Sequence, residues 1–341
     1  MSKNRVKKEI HLEHSSLKFP LPEGLLKELS AELHSMNEYP SGDDYDTLRT
    51  KLAEYTGTPA DNILPANGSD EVIEAVTRAF GSKLILIPVP TFSQYEVSAN
   101  RNGFKKKLVP CLKGYHYQLN YSRDDLKQAS LVWICNPNNP TGSPIQREDI
   151  INILNDSPGI VVVDECNYEY LGETVVDLID EFPNLVVSRS FSKNFGLAGF
   201  RLGFALSSPR NIHEIAHYCQ VFRVNRMAEA AGCKVLKYLD YFQKIWQEIA
   251  LVREYFISGM KGIGIEVFPS RSNFVLADFV TEEKTRRAWQ YLREKNVFTC
   301  PAWGEECTGL GKNFIRFTIS NKEEMGLVLR LLTDFQKTIL E

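Results

Sequence analysis

Lys193 follows two hydroxyls, Ser190 and Ser192, with Arg201 eight residues further on, inside the stretch Ser188–Phe204, SRSFSKNFGLAGFRLGF. The apolar run Leu185-Val186-Val187 just before it reads as a buried strand that ends there. A lysine at the end of a buried strand can be held in a dry pocket, where desolvation lowers its pKa and frees the amine for Schiff-base chemistry. The two hydroxyls and the Arg201 guanidinium together would make an anion site, the guanidinium as a two-pronged partner. A Schiff-base lysine beside a phosphate cradle suggests pyridoxal 5′-phosphate. The bland alternative is an exposed lysine in a serine-rich turn, and one motif alone does not choose between them.

Other residues with chemical potential sit at similar junctions. Gly68 permits a tight turn, Ser69 is a good N-cap, and Val72, Ile73, Val76 and Phe80 give one apolar helix face. Such an entrance, with Asp70 next, presents free N–H groups and the positive end of the helix dipole, which suits a phosphate; plain capping explains it equally well. Phe92, after the strand Leu84 to Val89, can lie flat on a heteroaromatic ring or simply fill the core. Two prolines and a glycine fix the loop Asn136-Pro137-Asn138-Asn139-Pro140-Thr141-Gly142, so the Asn139 amide is presented on a stiff backbone. Asp164 follows four apolar residues, Ile160–Val163, and a carboxylate buried there needs a cationic partner.

The elements that must position these residues alternate between strand and helix. Strand candidates at Ile63-Leu64, Leu84 to Val89, Leu131–Cys135, Ile160–Val163, Leu185–Val187 and Leu202–Ala205 carry polar residues at their carboxyl ends. That pattern predicts an α/β fold, a large domain with a mostly parallel central sheet and its site at the switch edge. Before it, Leu25-Leu26-Leu29-Leu33 marks a helix behind an extended N-terminal arm, and Tyr39-Pro40-Ser41-Gly42-Asp43 is a turn cluster. After about 210 the pattern turns helical. Short strands at Ile263–Val267, Asn273–Phe279, Val297–Thr299 and Phe314–Ile319, with helices Glu282–Glu294 and Lys322–Leu340, then predict a smaller α+β C-terminal domain. The division reads as residues 1–35 for arm and helix, 36–240 for the large cofactor-binding domain and 241–341 for the small domain.

Composition narrows the function. The 341 residues are 43% hydrophobic and 24% charged, with a net charge of −3 and no long basic run, so no nucleic-acid or membrane partner is implied. Lys105-Lys106-Lys107 is the densest basic cluster and reads as a solvated loop. The N-terminus lacks an apolar core of signal-peptide length. Seven scattered cysteines without a CxxC pair read as free thiols in a reducing cytoplasm, with no metal site. Gly309-Leu310-Gly311-Lys312 is not a P-loop, because Asn313 replaces the required hydroxyl.

Taken together, the motifs resemble the class I/II, fold-type I pyridoxal-phosphate aminotransferases, and within them the histidinol-phosphate aminotransferase branch. The likeness is collinear over nearly the whole chain: EYP at 38–40, NGSDE at 67–71, PTFSQY at 90–95, NPNNPTG at 136–142, VVVDE at 161–165, SFSKNFGLAGFRLGF at 190–204, SNF at 272–274 and IRFTIS at 315–320. It implies that Lys193 is the Schiff-base lysine that later moves a proton, and that Asp164 partners the pyridinium nitrogen, so that the ring acts as an electron sink. It further implies that Phe92 stacks on the ring and Asn139 donates to its 3-oxygen. Gly68, Ser69, Asp70, Ser190, Ser192 and Arg201 would form the phosphate cup. Tyr39 resembles the tyrosine that reaches the phosphate of a neighbouring subunit, which implies a homodimer. Arg316 resembles the arginine that pairs with the substrate carboxylate.

Three departures bear on substrate. Asn167 stands where the family places a tyrosine on the cofactor 3-oxygen; a one-residue slip bringing in Tyr168 would redirect its side chain. Cys300 stands where the branch carries an arginine for the substrate phosphate, a loss of about 1.5–3 kcal/mol for a phosphorylated substrate. The usual N-terminal Asn-Glu-Asn-Pro is replaced by Ser15-Ser16-Leu17-Lys18-Phe19-Pro20, with Lys18 or Arg223 as candidate replacement anion contacts. The implied activity is transfer of an amino group between histidinol phosphate, or an aromatic amino acid, and a 2-oxo acid. A threonine-phosphate decarboxylase-like lyase is the alternative. A non-enzymatic regulator is disfavoured, since Lys193 and Asp164 are present and the segment before Tyr39 reads as too short for a DNA-binding domain.

Overall fold

The computed structural model describes residues 9–40, 45–303 and 307–340. Ser41, Gly42 and Asp43 of the turn cluster lie outside them. Seven strands form the main sheet, in spatial order Ile63–Asn67, Leu202–Ser207, Leu185–Ser190, Ile160–Asp164, Ala129–Cys135, Leu84–Val89 and Lys105–Pro110. The last five run parallel to one another, and Leu202–Ser207 is antiparallel to both of its neighbours. The central strands are apolar and buried throughout, as expected when helices cover both faces of a parallel sheet.

Each face has its own core. Val132, Ile134, Val161, Val163, Leu185 and Val187 point to one side, and Leu131, Trp133, Val162 and Val186 to the other, as the two-residue strand period requires. The second face is closed by helix Gly68–Phe80, which buries Val72, Ile73, Ala75 and Val76.

A five-stranded second sheet has the order Ile10–Leu12, Val297–Pro301, Phe314–Thr318, Phe274–Asp278, Glu266–Val267. Its first strand comes from the N-terminal arm and pairs in parallel, Ile10 opposite Val297 and Leu12 opposite Thr299. Helices Leu239–Gly262, Glu282–Glu294 and Lys322–Leu340 pack on this sheet. The expected bounds of the last two helices are met in full, and Thr281 caps the first of them by accepting from the Lys284 N–H.

Two expectations change. Lys105-Lys106-Lys107 is not a loop but the start of an edge strand, where lysines deter pairing with another chain. The strand expected over Ile263–Val267 is only Glu266–Val267, because helix Leu239–Gly262 ends only at residue 262 and a turn through Gly264 at φ 74° follows it. Among the described residues no helix is long and apolar enough to cross a membrane, and no cluster of His, Cys, Asp and Glu could hold a metal ion. Among the described residues the seven cysteines form no disulfide.

Candidate functional site

The carboxyl ends of the parallel strands open onto a cavity of about 240 Å³. Its wall includes Ser69 and Asp70 from the entrance of helix Gly68–Phe80, Phe92, Asn139, Asp164, Ser190, Ser192, Lys193 and Arg201. Motifs more than a hundred residues apart in sequence therefore meet in one place.

Asp164 ends strand Ile160–Asp164 and is buried, as its apolar approach predicts. The cationic partner expected for it is not among its contacts. Instead the Tyr95 phenol donates to Oδ2 at 2.6 Å and the Cys166 N–H donates to Oδ1 at 3.0 Å. Tyr95 is buried and stacks on Trp133 at 4.5 Å between ring centroids. Burial, then the Asp164 charge, raise the Tyr95 pKa well above its usual value, so the phenol stays a donor. Burial also pushes the neighbouring Cys135 thiol up to about 12, which keeps it neutral.

Lys193 follows strand Leu185–Ser190, and its amine lies 5.8 Å from the centre of the Phe92 ring. Phe92 sits in the two-residue strand Thr91–Phe92, packs edge-on against Tyr95 and pairs with Cys307. Arg201 adopts a left-handed backbone with φ 58°, a conformation that costs a non-glycine residue about 1–2 kcal/mol. From there Nη2 reaches Asp70 Oδ2 at 2.6 Å and Nη1 reaches Ser192 Oγ at 3.4 Å. Ser190 Oγ accepts from the Ser192 N–H at 3.2 Å. Gly68 has φ +74, and a Cβ placed there would meet Arg201 Nη2 at 2.6 Å.

Arg316, on strand Phe314–Thr318, is buried and donates to Asn139 Oδ1 and to the Glu13 carbonyl, both at 2.9 Å. With its oxygen so occupied, Asn139 keeps its NH₂ for the cavity it lines. Cys300 lies directly across the sheet from Arg316.

Some sequence-predicted residues stand apart. Asn167 is buried with its Oδ1 unpartnered, but it does not line the cavity. Tyr168 does not take its place, since its ring lies 3.9 Å beneath the Arg189 guanidinium and faces a different cavity. Tyr39 is 73% exposed and stacks on Phe222 at 4.4 Å. Arg223 binds the Pro65 carbonyl at 2.7 Å and is not part of the wall. Lys18 donates to Ser16 Oγ at 3.1 Å at the edge of the cavity, and burial lowers its pKa.

The N-terminal arm adds His14, Ser15 and Ser16 to the wall; Ser15 and Ser16 figure in the sequence only as part of the replaced motif, and His14 has no role there. Arg316, Thr318 and Asn273 fasten that arm through the carbonyls of Glu13, His14 and Ser15. Backbone carbonyls carry no residue signature, so only the pairing of Asn273 and Arg316 with the arm could have revealed it. Tyr95 was part of a quoted motif without a role, and the polar partner that buried Asp164 requires is the signal that would have found it.

The sequence model of the family described as aminotransferase class I and II matches residues 8–332. The chain is 38% identical over 268 residues to histidinol-phosphate aminotransferase of Thermoanaerobacter pseudethanolicus, covering 76% of each protein. It is 33% identical over 342 residues to the enzyme of that name from Desulfitobacterium hafniense, covering 95% of this chain and 87% of the other. Among solved structures it is similar to L-threonine-O-3-phosphate decarboxylase from Porphyromonas gingivalis, with a TM-score of 0.85, 25% identity, and 96% and 99% of the two chains covered.

Proposed function

The chain belongs to the class I and II aminotransferases, and from that premise we propose that it moves an amino group between histidinol phosphate, or an aromatic amino acid, and a 2-oxo acid such as 2-oxoglutarate. It is a pyridoxal 5′-phosphate-dependent transaminase of the histidinol-phosphate aminotransferase branch. The observation that carries the residue assignments is the convergence of Lys193, Asp164, Ser69 and Arg201 on one cavity.

The construction of that cavity fits the cofactor. A Cβ at Gly203 would fall 2.5 Å from the Ser69 amide nitrogen, so the glycine keeps the helix entrance open. First-turn amides of a helix have no intrahelical acceptor, and here they face an anion-sized space beside Arg201. Gly68, Ser69, Asp70, Ser190, Ser192 and Arg201 would hold the phosphate, Phe92 the ring face, Asp164 the ring nitrogen and Asn139 the 3-oxygen. Asn167, one residue beyond the wall, would reach that oxygen only by turning its amide. When bound, pyridoxal 5′-phosphate supplies an electron-poor ring that accepts the electron pair released at the substrate carbon.

The chain's own residues do the rest. Lys193 provides the covalent anchor, and once displaced its Nζ carries the proton taken from the substrate carbon. Two donors, the Tyr95 O–H and the Cys166 N–H, orient the Asp164 carboxylate toward the place where it would pair with a protonated ring nitrogen. Arg316 takes the substrate's carboxylate or phosphate, held in aim by Asn139 and the Glu13 carbonyl. His14, Ser15 and Ser16 close the cavity against water.

The protein works as a homodimer in the cytoplasm. Tyr39 supports the first part, being exposed and turned away from its own cavity, where it can reach the phosphate of a second copy. Seven cysteines that form no disulfide among the described residues support the second. A decarboxylase of threonine-phosphate type is the second reading, favoured by the likeness to the Porphyromonas gingivalis structure.

The test is an absorbance spectrum of the cofactor-loaded protein during separate additions of glutamate and histidinol phosphate. Conversion to the pyridoxamine form by both supports the proposal. A spectrum indifferent to both moves the weight to decarboxylation. Lys193→Ala should abolish turnover, and a variant that kept the parental rate would remove the assignment.

A further inference from the structure

Lys193 reaches the cofactor cavity with its side chain, but its backbone is held by residues that border a second, larger cavity of about 730 Å³. The Tyr170 O–H donates to the Lys193 carbonyl at 3.1 Å, and the Trp246 indole N–H donates to the Asn194 carbonyl at 2.8 Å. The Asn194 side chain is fully buried. Its NH₂ bridges the Cys166 carbonyl, at 3.1 Å, and Glu169 Oε2. The other Glu169 oxygen accepts from the Tyr55 O–H at 2.8 Å. Tyr55, Glu169, Tyr170 and Trp246 all line the second cavity.

Resting on the reading of Lys193 given above, we propose that Glu169 is a positioning residue for that lysine: its carboxylate, steadied by Tyr55, grips Asn194 and so fixes the turn that carries Lys193. Asn194 ties this grip to the Cys166 carbonyl, two residues from Asp164. The lysine and the ring-nitrogen partner are thereby set at one spacing by a single amide. Among the described residues Asn194 Oδ1 has no hydrogen-bond partner, so the amide is held through its NH₂, by Glu169 and the Cys166 carbonyl.

The grip depends on the protonation state. An ionised Glu169 accepts from both donors, whereas a protonated one gives up an acceptor position. Burial raises its pKa to about 7, opposed by the Arg189 charge and by the Tyr55 hydrogen bond. The groups facing it are Tyr55 from helix Asp46–Thr56, Arg189 from strand Leu185–Ser190, Glu165 at the end of strand Ile160–Asp164, and Tyr168 and Tyr170 on its own helical turn. Helix Leu239–Gly262 contributes Gln243, Trp246 and Gln247 to the same cavity, all uncharged. Arg189 is committed to Glu165 at 2.8 Å, so Glu169 is the member of the group left free to titrate near neutrality.

Pyridoxal 5′-phosphate is added to cofactor-free full-length protein and trapped with borohydride, and its attachment to Lys193 is followed by peptide mass spectrometry on both sides of neutral pH. The wild-type rate should show a component centred near pH 7. Glu169→Gln should lack that component and stay about tenfold slower at alkaline pH, the effect of one hydrogen bond to a charged group. Tyr55→Phe should move the midpoint upward, since it removes a donor that favours the ionised form. A merely structural role would lower the rate without moving the profile. Attachment at Lys193 with the same profile in wild type and Glu169→Gln overturns the proposal and leaves the function reading intact. Attachment at another lysine overturns both. Should Glu169→Gln fail to fold, an unmoved midpoint in Tyr55→Phe overturns the proposal by itself.

Discussion

The Tyr95 phenol donates to Asp164 Oδ2 across 2.6 Å, and both side chains are buried. Among the described residues no cation pairs with the carboxylate, so this bond and the Cys166 N–H are what offset the cost of burying it. Tyr95→Phe should leave the stack on Trp133 in place and weaken cofactor binding by about tenfold to a hundredfold, the range for a hydrogen bond to a charged group. Titration of cofactor-free protein with pyridoxal 5′-phosphate measures it; unchanged affinity would mean that the phenol does not support Asp164.

Arg316 bonds Asn139 and the Glu13 carbonyl with separate guanidinium nitrogens, a geometry that lysine cannot copy. Arg316→Lys should raise KM for the amino donor and the oxo-acid acceptor alike, by about tenfold or more. Steady-state kinetics with each substrate varied in turn decide it. A rise for only one substrate would count against a shared carboxylate contact.

Cys300 sits opposite Arg316 on the neighbouring strand. Directly opposed side chains lie about 4.5–5.5 Å apart at Cβ, so a guanidinium introduced at 300 would reach an anion bound at Arg316, if Arg316 binds one as proposed. Cys300→Arg is expected to lower KM for histidinol phosphate by about tenfold and to leave an unphosphorylated aromatic amino acid unaffected or slightly disfavoured. Parallel kinetics on the two substrates separate a phosphate contact from a general change of the pocket.

Glu169 also makes stability depend on pH. Its ordinary pKa of 4.5 is raised to about 7 in the fold, so the folded protein holds a proton that the unfolded chain has released. The favourable contribution is complete below about pH 4.5 and is lost as pH rises through about 7, with a slope of about 1.4 kcal/mol per unit in between. Urea unfolding at several pH values should show this slope in the wild type, and Glu169→Gln should flatten it. Equal slopes would show that the carboxyl keeps an ordinary pKa.

Much of the fold was legible because local patterns and tertiary demands agree. Strand Leu84–Val89 and helix Glu282–Glu294 have the expected ends because the apolar period and the Thr281 cap coincide there with packing. Lys105-Lys106-Lys107 misled because its alternation belongs to an edge strand, and three cations conceal it. Strand Ile10–Leu12 was read only as an extended arm, since its partner lies at Val297–Thr299 and no local signal announces that pairing. In the site, residue types with cofactor chemistry were readable from their motifs. The groups that hold them were less so: Tyr95, Asn194 and Glu169 act through contacts 69, 28 and 25 residues away in sequence.

The pairing of Ile10 with Val297 also sets an order of events at the ribosome. Ile10 is made long before the strand it must join, whose first residue is Val297. The entropic cost of closing so long a loop grows only logarithmically with its length, but contacts of such separation form late. His14, Ser15 and Ser16 cannot take their places in the cavity wall before then. The cavity thus gains this part of its wall only after residue 297 has been made, and a chain truncated before that residue lacks the strand that seats His14, Ser15 and Ser16.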